Sequence, residues 1–130
     1  MHSTGKGRAG EQYAARVLEK AGMYILAANF RSPMGEVDLI ALDRDTLVFI
    51  EVKSWNSRGI ADLEYGVGRE KQRRIIETAK YFLAGHRKYN EMAIRFDVVF
   101  IGRPPFSSQK TASPAAPAIR HLASAFMECV

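Results

Sequence analysis

Two acidic residues sit inside neighbouring apolar, strand-like segments: Asp38 within Val37-Asp38-Leu39-Ile40 and Glu51 within Phe49-Ile50-Glu51-Val52. Strands disfavour Asp and Glu, so each position needs a reason. Only the short polar stretch Asp43–Asp45 separates the segments, which predicts an antiparallel hairpin. If Leu42 faces Leu47 across a two-residue turn at Arg44-Asp45, Asp38 falls opposite Glu51, with Cβ atoms about 5 Å apart on one face. A slip of one residue would send the two carboxylates to opposite faces. Lys53 lies two positions beyond Glu51, on the same face and about 6.6 Å along the strand.

Like charges facing each other across a hairpin destabilise it unless a cation lies between them. Asp38 and Glu51, with the Val52 backbone carbonyl nearby, form an all-oxygen donor set suited to Mg²⁺ or Mn²⁺. Such an ion polarises a phosphoryl oxygen and lowers the pKa of a bound water. Lys53 is expected to orient or activate that water, or to stabilise charge developing on the phosphate. The bland alternatives are a bridged structural Asp38 and a surface ion pair between Glu51 and Lys53. Against a wholly solvated face stand Ile40, Leu42, Leu47 and Phe49 on the same side.

The rest of the chain reads as a single α/β domain over residues 1–130. Apolar spacing predicts a helix over Gly10–Gly22, strands over Tyr24–Phe30, Glu36–Leu42 and Thr46–Ser54, and a turn at Arg31–Gly35. Asn56–Gly68 reads as a loop, Arg69–Ala84 as a second helix, and Ala93–Gly102 as a mostly apolar, central strand. Four of the five prolines fall in Arg103–Pro117, which suggests an exposed linker over 103–118. The tail, 119–130, reads as a short edge strand at Ile119–Leu122 and a last helical turn or two at Ala123–Cys129. The expected core is αβββαβ, a mixed central sheet flanked by helices.

Glu11 precedes Ala14, Ala15 and Leu18 by three, four and seven positions, which puts it on the inward stripe of the first helix. A buried Glu there needs a partner; a Glu favoured by the helix macrodipole is the alternative. Gln72 stands in the same relation to Ile75, Ile76 and Ala79, where a neutral donor suits a phosphate or the attacking water. Arg8, Arg58, Arg69, Lys71, Arg73 and Arg74, with Trp55, are candidates for nucleic-acid backbone contact and base stacking. For the run Arg69–Arg74 the alternative is a solvated helix face, and for Trp55 a packing role. Asp97 reads as a structural strand residue, and neither His86 nor His121 as a metal ligand. The net charge of +5 and pI near 9.6 permit a polyanionic partner without establishing one. No apolar run reaches membrane-spanning length, no secretory leader is evident, and Cys129 is the lone cysteine. Together these point to a cytoplasmic protein with neither disulfides nor a thiolate metal site.

Gly35–Ala41 (Gly-Glu-Val-Asp-Leu-Ile-Ala) followed by Leu47–Lys53 (Leu-Val-Phe-Ile-Glu-Val-Lys) resembles the PD-(D/E)xK nuclease signature. Adding Gly7–Glu11, Lys71-Gln72-Arg73, Arg95–Val99, Ile119–Leu122 and Ala125-Phe126, the chain resembles the bacterial YraN family of nuclease-like proteins from Gly7 to Phe126. That family is similar to archaeal Holliday junction resolvases. The resemblance implies a restriction-endonuclease-like fold and Mg²⁺- or Mn²⁺-dependent cleavage of DNA, with branched or repair intermediates as the substrate class. It implies Asp38, Glu51 and Lys53 as the catalytic triplet, Glu11 as an accessory acid and Gln72 as a second-helix polar residue, with a homodimer by analogy. Two departures stand out: Val37 replaces the Pro of the superfamily signature, and Tyr65-Gly66-Val67 replaces a Pro-x-x-Ala-Val-like stretch. The rivals are a nucleic-acid-binding module with little or no cleavage, and an assembly protein whose carboxylates bind a structural cation.

Overall fold

The computed structural model describes residues 5–54, 68–102 and 118–127. Helix α1 (Gly5–Lys20) leads into strands β1 (Tyr24–Ser32), β2 (Gly35–Asp43) and β3 (Thr46–Ser54). Helix α2 (Arg69–Gly85), a 3₁₀ turn (Arg87–Tyr89), β4 (Ala93–Gly102) and β5 (Ala118–Phe126) follow. The strands form one sheet in the order β1-β2-β3-β4-β5. All neighbours are antiparallel except β3 and β4, which run parallel, so the architecture is α/β with a mixed five-stranded sheet. No described helix is long and apolar enough to cross a membrane.

α1 starts five residues before the expected Gly10, in a Gly-rich, basic stretch that carries no apolar stripe. It stops where expected. Gly22 adopts φ 105, and the Gly22 and Met23 amides donate to the Glu19 and Leu18 carbonyls, the pairing of a Schellman cap. Its inward stripe, Ala14 and Leu18, packs with Leu39, Ala41, Val48, Ile50, Val99 and Ile101 on one face of the sheet. On the opposite face, Ile75, Ile76, Ala79 and Phe82 of α2 pack on Val37, Ile40, Leu47, Phe49 and Phe96. With helices on both faces, β3 and β4 are buried on both sides over Leu47–Ile50 and Val98–Ile101, which read as continuous apolar runs.

The β2–β3 hairpin forms in the expected register: Leu42 pairs with Leu47 and Asp43 with Thr46. Arg44 takes φ 58, the left-handed value that primed two-residue turns require at their first position. The helical turn expected at Ala123–Cys129 is corrected over its described part, because β5 continues as strand to Phe126. Local sequence is permissive there, and tertiary contacts decide. Asp97 on β4 accepts the Ser124 N–H at 2.9 Å and meets His121 Nε2 at 2.7 Å, while Phe126 stacks on Phe96 with ring centroids 5.2 Å apart. Ser124, at φ 54, absorbs the register shift between β4 and β5. The expected linker before Ala118 lies outside the described residues, as does the loop before Gly68.

Candidate metal and phosphate site

Asp38 sits where the strand rhythm breaks. Leu39 and Ala41 face α1 while Ile40 faces α2, yet Val37 also faces α2, so the two-residue alternation slips at Asp38. Opposite on β1 is Asn29, flanked by the pairs Phe30–Val37 and Ala28–Leu39. Asn29 carries a left-handed φ of 56, which Asn tolerates better than most residues. The β2–β3 ladder ends at Leu39–Ile50. Beyond it, Asp38 Oδ2 accepts the Val52 N–H at 2.7 Å. A carboxylate thus takes the acceptor role next to the last backbone pair, and the Asp38 side chain is brought to Glu51.

The two carboxyl groups lie close enough for each to shift the other's protonation. Both are buried, Asp38 7% and Glu51 4% exposed. Burial raises the Asp38 carboxyl to about 6, with the nearby Glu11 charge adding to the effect and the Val52 amide opposing it. Burial also raises Glu51 to about 7, reinforced by the Asp38 charge and opposed by Lys71. Glu11 approaches from α1, near enough to Asp38 and Asn29 to feel both, and its carboxyl is likewise raised, first by burial. Its Oε1 is buried with no hydrogen-bond partner. The structure therefore sets Glu11 near Asp38 and Asp38 near Glu51.

Asp38 and Glu51 could hold a divalent ion as a pair of carboxylate ligands. Among the described residues no three acidic, His or Cys side chains form a ready-made metal cage. Mg²⁺ needs none: it keeps several waters and is held by one or two carboxylates plus substrate phosphates. The chemistry of the pair and the orphaned Glu11 oxygen suit it. Val52 contributes its N–H to the site, donated to Asp38.

Glu51 Oε2 is engaged by Lys71 Nζ at 2.6 Å, not by Lys53. Burial depresses the Lys71 ammonium, and the Glu51 hydrogen bond and charge more than restore it, leaving its pKa above the ordinary value. Lys53 is half-buried in β3, in an unbroken register with β4 that pairs Glu51 with Val98 and Lys53 with Phe100, so Lys53 and Glu51 share a face. Gln72, half-buried, adjoins Lys71 in the first turn of α2. Further along the basic run, Arg73 and Arg74 both pair with Glu70 on the exposed helix face, and Arg69 is exposed. Trp55, Arg58 and the Arg8 side chain lie outside the described residues.

Sequence alone does not assign two members of this site to it. Lys71 reads there as a phosphate contact, although it shares the phase of Ile75, Thr78 and Phe82, the inward stripe of α2. Asn29 leaves one trace, a polar residue inside an apolar strand segment.

The profile of the uncharacterised protein family UPF0102 matches residues 10–101. A UPF0102 protein of Treponema pallidum (strain Nichols) is 45% identical over 129 residues, covering 99% of this chain and 98% of its own. One from Treponema denticola is 42% identical over 130 residues, with 95% of each chain covered. One from Syntrophus aciditrophicus is 45% identical over 101 residues, covering 76% of this chain and 77% of its own.

Proposed function

The chain belongs to the uncharacterised protein family UPF0102, and from that premise and the geometry of its buried carboxylates we propose that it is a Mg²⁺- or Mn²⁺-dependent endonuclease. Its substrate would be the phosphodiester backbone of DNA, with branched or repair intermediates as the substrate class. The observation that carries this reading is the contact between Asp38 and Glu51. Two buried carboxylates on adjacent strands interact and are both raised above the ordinary carboxylate range, with a lysine two residues beyond the second. The order Asp38, Glu51-Val52-Lys53 on an αβββαβ chain supports a place among PD-(D/E)xK, restriction-endonuclease-like proteins, to which the sequence is similar.

Asp38 and Glu51 would hold the ion, with Glu11 next to it and the Val52 carbonyl at its edge. Bound there, the ion would supply Lewis-acid polarisation of a phosphoryl oxygen and a water acidic enough to attack phosphorus. Lys53, on the Glu51 face, would place its ammonium against that water or against charge growing on the phosphate. Gln72 would hold a non-bridging oxygen through its amide. Arg69, and Arg73 and Arg74 when released from Glu70, would follow the backbone. By analogy with resolvases, two copies would act on two strands of a junction.

The test is cleavage of branched, single-stranded and duplex DNA with Mg²⁺ or Mn²⁺. Asp38→Asn and Lys53→Ala should each lower the rate by about a hundredfold or more while the protein stays folded. Cleavage that survives both substitutions would remove the catalytic assignment.

One observation favours a second reading, a nucleic-acid-binding module without cleavage. Lys71 already supplies Glu51 with a positive charge, so the fold can be neutralised at this point without a metal. That reading expects salt-dependent DNA binding in EDTA and intact DNA after incubation with either ion.

A further inference from the structure

We propose that Lys71 is the built-in counter-cation of the Asp38–Glu51 site: its ammonium and a divalent ion compete for Glu51, and the lysine swings out when the ion enters. This rests on the metal-site reading above and deepens it by naming what the ion must displace.

Lys71 Nζ lies 2.6 Å from Glu51 Oε2, while Mg²⁺ binds carboxylate oxygen at about 2.0–2.1 Å. An ammonium and a divalent ion on the same carboxylate would stand within a few ångströms of each other, inside a region where charge is poorly screened. Both cannot stay. Glu51 is 5% exposed at its side chain whereas Lys71 is 49% exposed, so the acid is fixed in the sheet and the lysine reaches in from the surface. Rotation of its stem returns the ammonium to water without disturbing the core.

The position on α2 points the same way. Lys71 lies in the first helical turn, where the macrodipole disfavours a cation. Its neighbours Arg73 and Arg74 turn instead to Glu70 on the exposed face. What holds Lys71 inward is therefore the carboxylate, and an ion that satisfies Glu51 removes that hold. The released ammonium would share the first turn of α2 with Arg69 and Gln72, where a phosphate oxygen is the natural partner. Metal entry then frees a cation for the backbone as well as supplying an ion.

The measurement is Mn²⁺ titration by calorimetry, paired with thermal melting in EDTA and in saturating Mn²⁺. The proteins are wild type, Lys71→Met, Lys71→Arg and Asp38→Asn. Lys71→Met should bind Mn²⁺ about tenfold tighter or more than wild type, melt lower in EDTA, and gain more on adding the ion. Lys71→Arg, which keeps the charge, should stay close to wild type and guards against a packing artefact. If Lys71→Met binds no tighter than wild type while Asp38→Asn loses binding, the counter-cation proposal is overturned and the metal site stands. If wild type binds no Mn²⁺, or Asp38→Asn binds as wild type does, the metal-site reading fails and takes the proposal with it.

Discussion

Asp38 Oδ2 accepts the Val52 N–H at 2.7 Å, just past the last backbone pair of the β2–β3 ladder. One carboxylate thus does two separable things: it finishes the hairpin and it faces Glu51. Asparagine keeps an acceptor oxygen for Val52 and loses the charge. Alanine loses both and leaves an amide near the core without a partner, at a cost of about 1–3 kcal/mol. Asp38→Ala should therefore unfold at lower urea concentration than Asp38→Asn, while both abolish Mn²⁺ binding. Equal stability of the two variants would show that the hydrogen bond to Val52 does not hold the strand end.

The raised carboxyl groups give metal-free protein an inverted acid response. Glu51 is lifted from 4.5 to about 7 and Asp38 from 3.8 to about 6, both chiefly by burial. The folded state therefore binds protons more tightly than the unfolded chain over this window. Their contribution to stability is fully present below the unfolded values and is lost as pH rises through about 6 to 7. Asp97 has the opposite sign: its carboxyl is held low by His121, Arg95 and the Ser124 amide against the effect of burial, so its contribution disappears only in stronger acid. In EDTA, wild type should melt higher at about pH 5 than at about pH 8, and Glu51→Gln should flatten that difference. Saturating Mn²⁺ should reverse the trend, because the ion favours the ionised pair. A melting temperature that climbs with pH in EDTA would contradict the assignment.

Much of this arrangement is visible in the chain, for identifiable reasons. The register from Asp43–Thr46 to Leu39–Ile50 follows from a short polar turn between two apolar segments, since turn length and buried faces together leave one register. The expected continuation to Asp38 opposite Glu51 does not form, because alternation slips at Asp38. Gly22 ends α1 because only a residue at ease with positive φ completes that cap. Lys71 is harder. It lies in a run of four basic residues among six, and nothing local says which of them meets a carboxylate contributed by a distant strand. The slip of alternation at Asp38, mirrored by Asn29, is a property of two strands together and leaves no period to read. The tail defeats a local reading because Ala123–Phe126 tolerates helix, while its strand depends on Asp97 across the sheet.

That dependence on Asp97 can be measured. The residue is fully buried and takes two hydrogen bonds from Arg95 at 2.9 and 3.0 Å, one contact from His121 and one from the Ser124 amide. Arg95 also reaches Asp43 at 3.0 Å, tying the β2–β3 turn to β4. Removing the carboxylate leaves Arg95 with Asp43 alone, leaves the Ser124 amide without its acceptor and frees β5 from its clamp, at a cost of about 1–3 kcal/mol for the unpaired amide. In Asp97→Ala, hydrogen exchange should lose protection along Ile119–Phe126 before it does so in β2 and β3. Uniform loss across the sheet would mean that β5 is not a separately held element.

The last prediction concerns the exposed face of α2. Arg73 and Arg74 both pair with Glu70, and all three side chains are more than half exposed. Such surface pairs add little stability, so their consequence lies in what they withhold: two guanidinium groups at the start of a helix that, on the nuclease reading, lies along a phosphate backbone. Glu70→Gln removes the competing carboxylate without changing the fold. Its melting temperature should stay within about 2 °C of wild type. Its affinity for branched DNA in EDTA should rise, with the slope of log affinity against log salt steeper by about 0.9 for each further phosphate neutralised. Arg73→Ala combined with Arg74→Ala should move the slope the other way. If Glu70→Gln leaves both affinity and slope where they were, the backbone does not pass over this face, and the nucleic-acid path must be sought along Lys53 and Arg69 instead.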